Sequence, residues 1–141
     1  MKTEFSFIII DDSELDCFVT KKFLERTNKN FSIEIFHNAE KALERISENQ
    51  DEDGKLPTVI LLDLQMPHMN GFKFVEEFEK LSPEIQKHYI IIILSVLSPA
   101  RDPNNLHRIF TYRKVNSVVE KPLTKEKLIS LLSEVRSDSN K

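Results

Sequence analysis

The chain has 141 residues, a length that suits one domain, and 40 % of them are hydrophobic, enough for a substantial core. Its net charge of −3 argues against a nucleic-acid-binding surface, which needs a basic patch. The one cysteine, Cys17, excludes a disulfide within the chain and a thiolate zinc cluster, and no apolar run is long enough for a membrane span. The opening MKTEFSFIIIDD holds too short an apolar stretch for a signal peptide, so the expected compartment is a reducing cytoplasm.

Apolar runs alternate with helical patterns along the chain. Phe5 to Ile10 reads as a strand that ends in three isoleucines. Ser13 to about Thr27 reads as a helix capped by Asp12 or Ser13, with Leu15, Phe18, Val19 and Phe23 on one face. Phe31 to Phe36 alternates as a second strand, and Asn38 caps a second helix with Ala42, Leu43 and Ile46 inward. An acidic loop, ENQDEDGK, leads to a third strand from Thr58 to Leu62. Gly71 to Leu81 reads as a third helix that offers Phe72, Phe74, Val75 and Phe78 to the core. Tyr89 to Leu94 is the fourth strand, and Asp102-Pro103 opens a short fourth helix to about Tyr112. Ser117 to Val119 is a short fifth strand, Thr124 starts a last helix to about Val135, and residues 136–141 read as a polar tail.

Strict β-α alternation implies an α/β fold, a doubly wound parallel sheet with helices on both faces. Strands one, three and four are continuously apolar, as central strands are; strand two alternates and strand five is short, as edges are. The expectation is a flavodoxin-like five-stranded sheet, order 2-1-3-4-5, with five helices. One domain covers residues 1–141, with its core from about 5 to 135.

In an open parallel sheet, ligands bind beyond the carboxyl ends of the strands. Strand one ends in Asp11-Asp12, strand three in Asp63, strand four in Ser95 and strand five in Glu120-Lys121-Pro122. Strand two ends in His37-Asn38, on an edge and away from the others. Taken singly, the Asp pair reads as a turn or cap, Ser95 as a turn residue and Lys121 as an exposed loop lysine. Together they bring three carboxylates, a hydroxyl and an ammonium to one edge. Clustered carboxylates repel, and a divalent cation relieves that. Oxygen donors without Cys or His favour Mg²⁺ over zinc. Lys121 and Ser95 supply a charge and a donor for phosphoryl oxygens, and a carboxylate can act as nucleophile toward phosphorus. Phosphoryl transfer asks mainly for positioning and charge neutralisation.

The segments IIIDDSE, VILLDLQMPHMNG, IIILSV and VVEKPL resemble the receiver domain of two-component response regulators, of the single-domain, chemotaxis-regulator-like kind, from about Phe5 to Val135. The resemblance implies that Asp63 is the phosphoacceptor. It implies that Asp12 and Asp63 ligate Mg²⁺ directly, Asp11 through water, and that the backbone carbonyl of Gln65 completes the protein ligands. Ser95 stands where the family bonds the phosphoryl group, and Lys121 is the phosphate-pairing lysine before a cis bond to Pro122. The implied activity is that of a signalling phosphoacceptor, not an enzyme, although such domains catalyse their own phosphorylation and dephosphorylation. The implied partners are a histidine kinase or histidine phosphotransfer protein and a downstream protein target, with no nucleic acid bound by this chain alone and no membrane.

Two other functions compete. One is a pseudo-receiver, a constitutive interaction module that is never phosphorylated. The other is a hydrolase with an Asp nucleophile, which wants a second Asp two positions on, where this chain has Gln65. The chain also departs from the family. Val118 replaces the aromatic residue usual three positions before the lysine, and the stretch from Val96 to Arg101 is long. A stiff valine cannot swing as an aromatic does, so the expected carrier of the signal is that stretch and the fourth helix. Among the histidines, only His68 is expected near the site, as an exposed loop residue. Met66 and Met69 are expected to pack under the loop after Asp63, Gly71 to let that loop enter its helix, and Cys17 to be structural or superficial.

Overall fold

Five apolar runs become five parallel strands in a computed structural model that describes residues 5–48, 57–64, 71–95, 107–109, 111–121 and 123–139. In chain order the elements are β1 (Ser6–Ile10), α1 (Glu14–Thr27), β2 (Ser32–Phe36), α2 (Ala39–Ser47), β3 (Thr58–Leu62), α3 (Gly71–Phe78), α4 (Pro83–Gln86), β4 (Tyr89–Ser95), β5 (Val115–Glu120) and α5 (Lys125–Ser139). The strand order is β2-β1-β3-β4-β5, as expected from the apolar patterns. Among the described residues, no helix is long and apolar enough to cross a membrane.

Alternation along the central strands builds two cores. Ile8, Ile10, Ile60, Leu62, Ile91 and Ile93 point to one face, where α2 and α3 cover them with Ala42, Ile46, Phe74 and Phe78. Phe7, Ile9, Val59, Leu61, Ile92 and Leu94 point to the other, under α1 and α5, which supply Cys17, Leu24, Leu128 and Leu131. Ile10 pairs with Leu62 and Leu62 with Ile93, so the carboxyl ends of β1 and β3 are level and β4 runs two residues further, to Ser95. Ladder-type bonds continue one residue beyond the strands. The Asp11 amide donates to the Phe36 carbonyl at 3.1 Å and the Asp63 amide to the Ile10 carbonyl at 2.9 Å.

Several elements differ from the sequence reading. Of the face of α1 expected from Leu15, Phe18, Val19 and Phe23, the first three point outward, at 70 %, 58 % and 54 % exposed, whereas Phe23 packs half-buried against the core beside buried Cys17 and Leu24. The most apolar stripe of this helix is therefore not its core stripe. α3 stops at Phe78 instead of Leu81, and a short helix that the sequence reading did not expect, α4, follows it. Its signal was in the sequence: Ser82 caps it and Pro83 opens it. The buried Gln86 amide then donates to the Glu79 and Leu81 carbonyls at 3.1 and 2.7 Å, satisfying the chain end left by α3.

β5 is twice the expected length. Ile91 pairs with Val115 but Ile92 with Ser117, so Asn116 is an extra residue that breaks the alternation. That break hid Val115 and Asn116 at the strand's start. Helix α5 continues through Ser139, into the stretch read as a tail. Of the helix expected from Asp102 to Tyr112, the helical turn His107–Ile109 is described. Gln65, Met66, His68, Met69, the segment Val96–Arg101, Pro122 and the ENQDEDGK loop beyond Glu48 lie outside the described residues.

Candidate functional site

Asp11 sits where β1 ends, 5 % exposed, with each oxygen engaged. Its Oδ1 accepts from the Ser13 amide at 2.9 Å, an Asx turn that leads the chain into α1. Its Oδ2 accepts from Lys121 Nζ at 3.0 Å. Ser13 then caps α1, its Oγ accepting from the Asp16 amide at 3.1 Å. Asp63 follows β3 directly, with its side chain 12 % exposed and its Oδ1 3.9 Å from Lys121 Nζ. Asp12 is exposed. One carboxylate oxygen from each of Asp11, Asp12 and Asp63 lies within 4.8 Å of the others. An all-oxygen set of that span suits Mg²⁺, which takes one or two carboxylates and keeps several waters.

Lys121 follows β5 and places its ammonium among three carboxylates. Besides Asp11 and Asp63, its Nζ donates to Asp16 Oδ2 at 2.9 Å. Burial pulls its pKa down, but the hydrogen bonds to Asp16 and Asp11 and the charge of Asp63 outweigh this and raise it to about 12. The side chain is 19 % exposed, so the ammonium depends on these partners. The repulsion expected among the acids is thus partly offset by the protein's own cation.

The Ser95 backbone closes β4 opposite Glu120, the residue before Lys121. The fold therefore brings Asp11, Asp12, Asp63 and Lys121 together, with the Ser95 backbone on the same rim; Gln65 lies outside the described residues. The sequence reading passed over Asp16, whose signal was its place one helical turn after Asp12, on the helix that starts at the site.

It also placed His37 too far away. His37 Nδ1 lies 3.1 Å from the Asp11 carbonyl, so the Nδ1-protonated ring donates to it. Cys17 Sγ donates to the same carbonyl at 3.3 Å and is 3.7 Å from His37 Nδ1. Cys17 is buried, and burial followed by the charges of Asp11 and Asp16 pushes its thiol up to about 12. It is a buried structural thiol, not a superficial one.

A family model described as response regulator receiver domain matches residues 7–133. The chain is 35 % identical over 95 residues to a protein-glutamate methylesterase/protein-glutamine glutaminase of Treponema pallidum, covering 67 % of this chain and 21 % of that protein. It is 26 % identical over 141 residues to the peroxide stress-activated histidine kinase mak1 of Schizosaccharomyces pombe, covering 99 % of this chain and 8 % of that protein. The chain thus spans a small part of both relatives. Among solved structures, a response regulator receiver protein from Dyadobacter fermentans matches with a TM-score of 0.81 and 28 % identity, over 94 % of this chain and 98 % of that one.

Proposed function

The chain belongs to the response regulator receiver domain family, and from that premise we propose that Asp63 accepts a phosphoryl group from a phosphohistidine of a histidine kinase or histidine phosphotransfer protein. An Asp63 oxygen attacks phosphorus, the P–N bond breaks, and its electron pair returns to the imidazole of the donor. Asp11, Asp12, Asp63 and the Gln65 carbonyl are the groups that would hold Mg²⁺. Bound there, the ion supplies positive charge against the phosphoryl oxygens. Lys121 pairs with the phosphoryl group and Ser95 bonds it, which draws the ends of β4 and β5 toward β3 and alters the surface offered to a downstream protein.

The observation that carries this reading is the convergence of three carboxylates within 4.8 Å of one another and an ammonium 3.9 Å from Asp63. The outward face of α1 supports a protein donor: Leu15, Phe18 and Val19 give an apolar surface on the helix that begins at the site. Incubation with a small phosphodonor and Mg²⁺, followed by intact mass, tests the proposal. The parent should gain one phosphoryl group and Asp63→Asn none. Equal modification of both would place the acceptor elsewhere, and no modification of the parent would leave an interaction module that works unphosphorylated.

A further inference from the structure

We propose that Asp16 is a positioning residue for Lys121: it gives the ammonium a second seat, so that Lys121 can leave Asp11 and Asp63 to a metal ion or a phosphoryl group without losing its counter-charge. The inference rests on the reading of the site given above. The three acids that contact Lys121 are not equivalent. The Asp11 and Asp63 side chains are 7 % and 12 % exposed, whereas that of Asp16 is 45 % exposed, on the solvent side. Asp16 is also not one of the acids whose oxygens cluster within 4.8 Å of one another, so it has no place in the candidate metal set. Yet it makes a 2.9 Å contact with Lys121 Nζ.

Its position is fixed by the start of α1. The Asp16 amide donates to Ser13 Oγ at 3.1 Å, and the Ser13 amide donates to Asp11 Oδ1 at 2.9 Å. Asp11, Ser13 and Asp16 therefore form one frame, and Lys121 bridges its two carboxylates. An ammonium has three donors and can redistribute them without moving its stem far. A divalent ion entering the site must compete with Lys121 for Asp11 and Asp63. If the ammonium had no other acid, displacing it would strand a largely buried charge, a costly outcome that would weaken metal binding. Asp16 removes that cost because it stays with Lys121 when the other two acids turn to the ion.

The test is a Mg²⁺ titration of the labelled chain, followed by the amide resonances of residues 11–16, in two backgrounds. In the parent, Asp16→Asn should weaken Mg²⁺ binding by about fivefold, at the low end of ordinary site-to-site coupling. In a Lys121→Ala background the same substitution should change binding less than twofold, since there is no ammonium to reseat. Lys121→Met, which keeps the stem, serves as the second background where Lys121→Ala does not fold. Asp16→Glu should recover most of the affinity, because its carboxylate still reaches Nζ.

A purely through-space effect of one lost charge would weaken binding equally in both backgrounds and would overturn the proposal. So would unchanged binding in Asp16→Asn. A role confined to the helix start would lower the unfolding midpoint in both backgrounds and leave Mg²⁺ affinity alone, which also overturns it. These outcomes are separable from failure of the phosphoacceptor reading. A parent that binds Mg²⁺ with the expected coupling but takes no phosphoryl group sinks that reading and keeps Asp16 in its role. A parent that binds no Mg²⁺ sinks both.

Discussion

Gly71 shows how a single residue can set a site it does not belong to. A β-carbon there would lie 2.6 Å from Leu64 Cδ2, 2.8 Å from Leu64 Cα and 3.0 Å from the Asp63 carbonyl oxygen. The first of these could yield, but the backbone atoms cannot. The Gly71 amide also donates to the Leu64 carbonyl at 2.9 Å, which ties the start of α3 to the end of β3. The requirement is close approach, not an unusual turn. Gly71→Ala should cost about 1–3 kcal/mol by overpacking, and it should shift the amide resonances of Asp63 and Leu64 while leaving those of β2 in place. A urea midpoint equal to the parent's would refute this. Cys17 and Lys121 supply a second prediction at this scale. Both hold a proton more tightly folded than unfolded, with pKa values pushed to about 12 from 9.0 and 10.5. The folded state therefore binds more protons at alkaline pH, and stability falls as pH rises. The Cys17 contribution is full below 9.0 and is lost between there and about 12, and the Lys121 contribution is lost from 10.5 to about 12. Urea midpoints should start to fall above about pH 9 in the parent, and later in Cys17→Ala. An identical onset in both would remove Cys17 from the account.

At the scale of elements, a clasp joins α3 to the segment that enters β5. Tyr112 Oη donates to Glu76 Oε2 at 2.5 Å, and Arg108 donates to the same oxygen at 2.9 Å and through Nε to Tyr112 Oη at 3.1 Å. The Arg108 guanidinium lies over the Phe72 ring, 4.3 Å from its centroid. The Tyr112 hydrogen bond, then that of Arg108, holds the Glu76 carboxyl below its ordinary range. Tyr112→Phe keeps the ring and loses the anchor. Hydrogen exchange in that variant should quicken at residues 111–115 and not in α1; unchanged exchange at 111–115 would rule the clasp out as an anchor. Nothing in the sequence pattern announced this contact, because its partners are 32 and 36 positions apart and none lies in a motif. What was legible is what depends on period and strand-end chemistry. The continuous apolar runs marked β1, β3 and β4 and hence the sheet order, and residues beyond strand ends marked Asp11, Asp12, Asp63 and Lys121. What was not legible depends on tertiary neighbours. The apolar stripe Leu15, Phe18 and Val19 pointed to the wrong face because α1 seats itself with Cys17 and Leu24 instead. The extra residue Asn116 concealed the start of β5, and Asp16 meets Lys121, 105 positions away, only in the fold.

For the molecule as a whole, the proposed phosphorylation at the end of β3 would have to reach a distant surface. Phosphorylation of Asp63, as proposed, would add charge and strong acceptor oxygens beside Lys121, whose ammonium lies 3.9 Å from Asp63. Lys121 follows β5 directly, and Lys127 Nζ donates to the Glu120 carbonyl at 2.7 Å, so a pull on Lys121 is felt by both β5 and α5. β5 is an edge strand, held on one side by β4 and entered through the clasped Tyr112. It can shift as a unit more readily than β1 or β3, each flanked by strands on both sides. Val118 opposes Ile93 and packs half-buried against the core under α3, with no long side chain to swing. The signal should therefore travel as a backbone displacement of β5 and the segment before it. The free energy available is set by the difference in phosphoryl contacts between the two forms, about 1–3 kcal/mol for ordinary coupling. Hydrogen exchange with and without a phosphoryl mimic should show its largest changes in residues 107–121, with α2 and β1 changing least. Val118→Ala should preserve that response. The account fails if the first two helices change most, or if Val118→Ala abolishes the response in a chain that still folds.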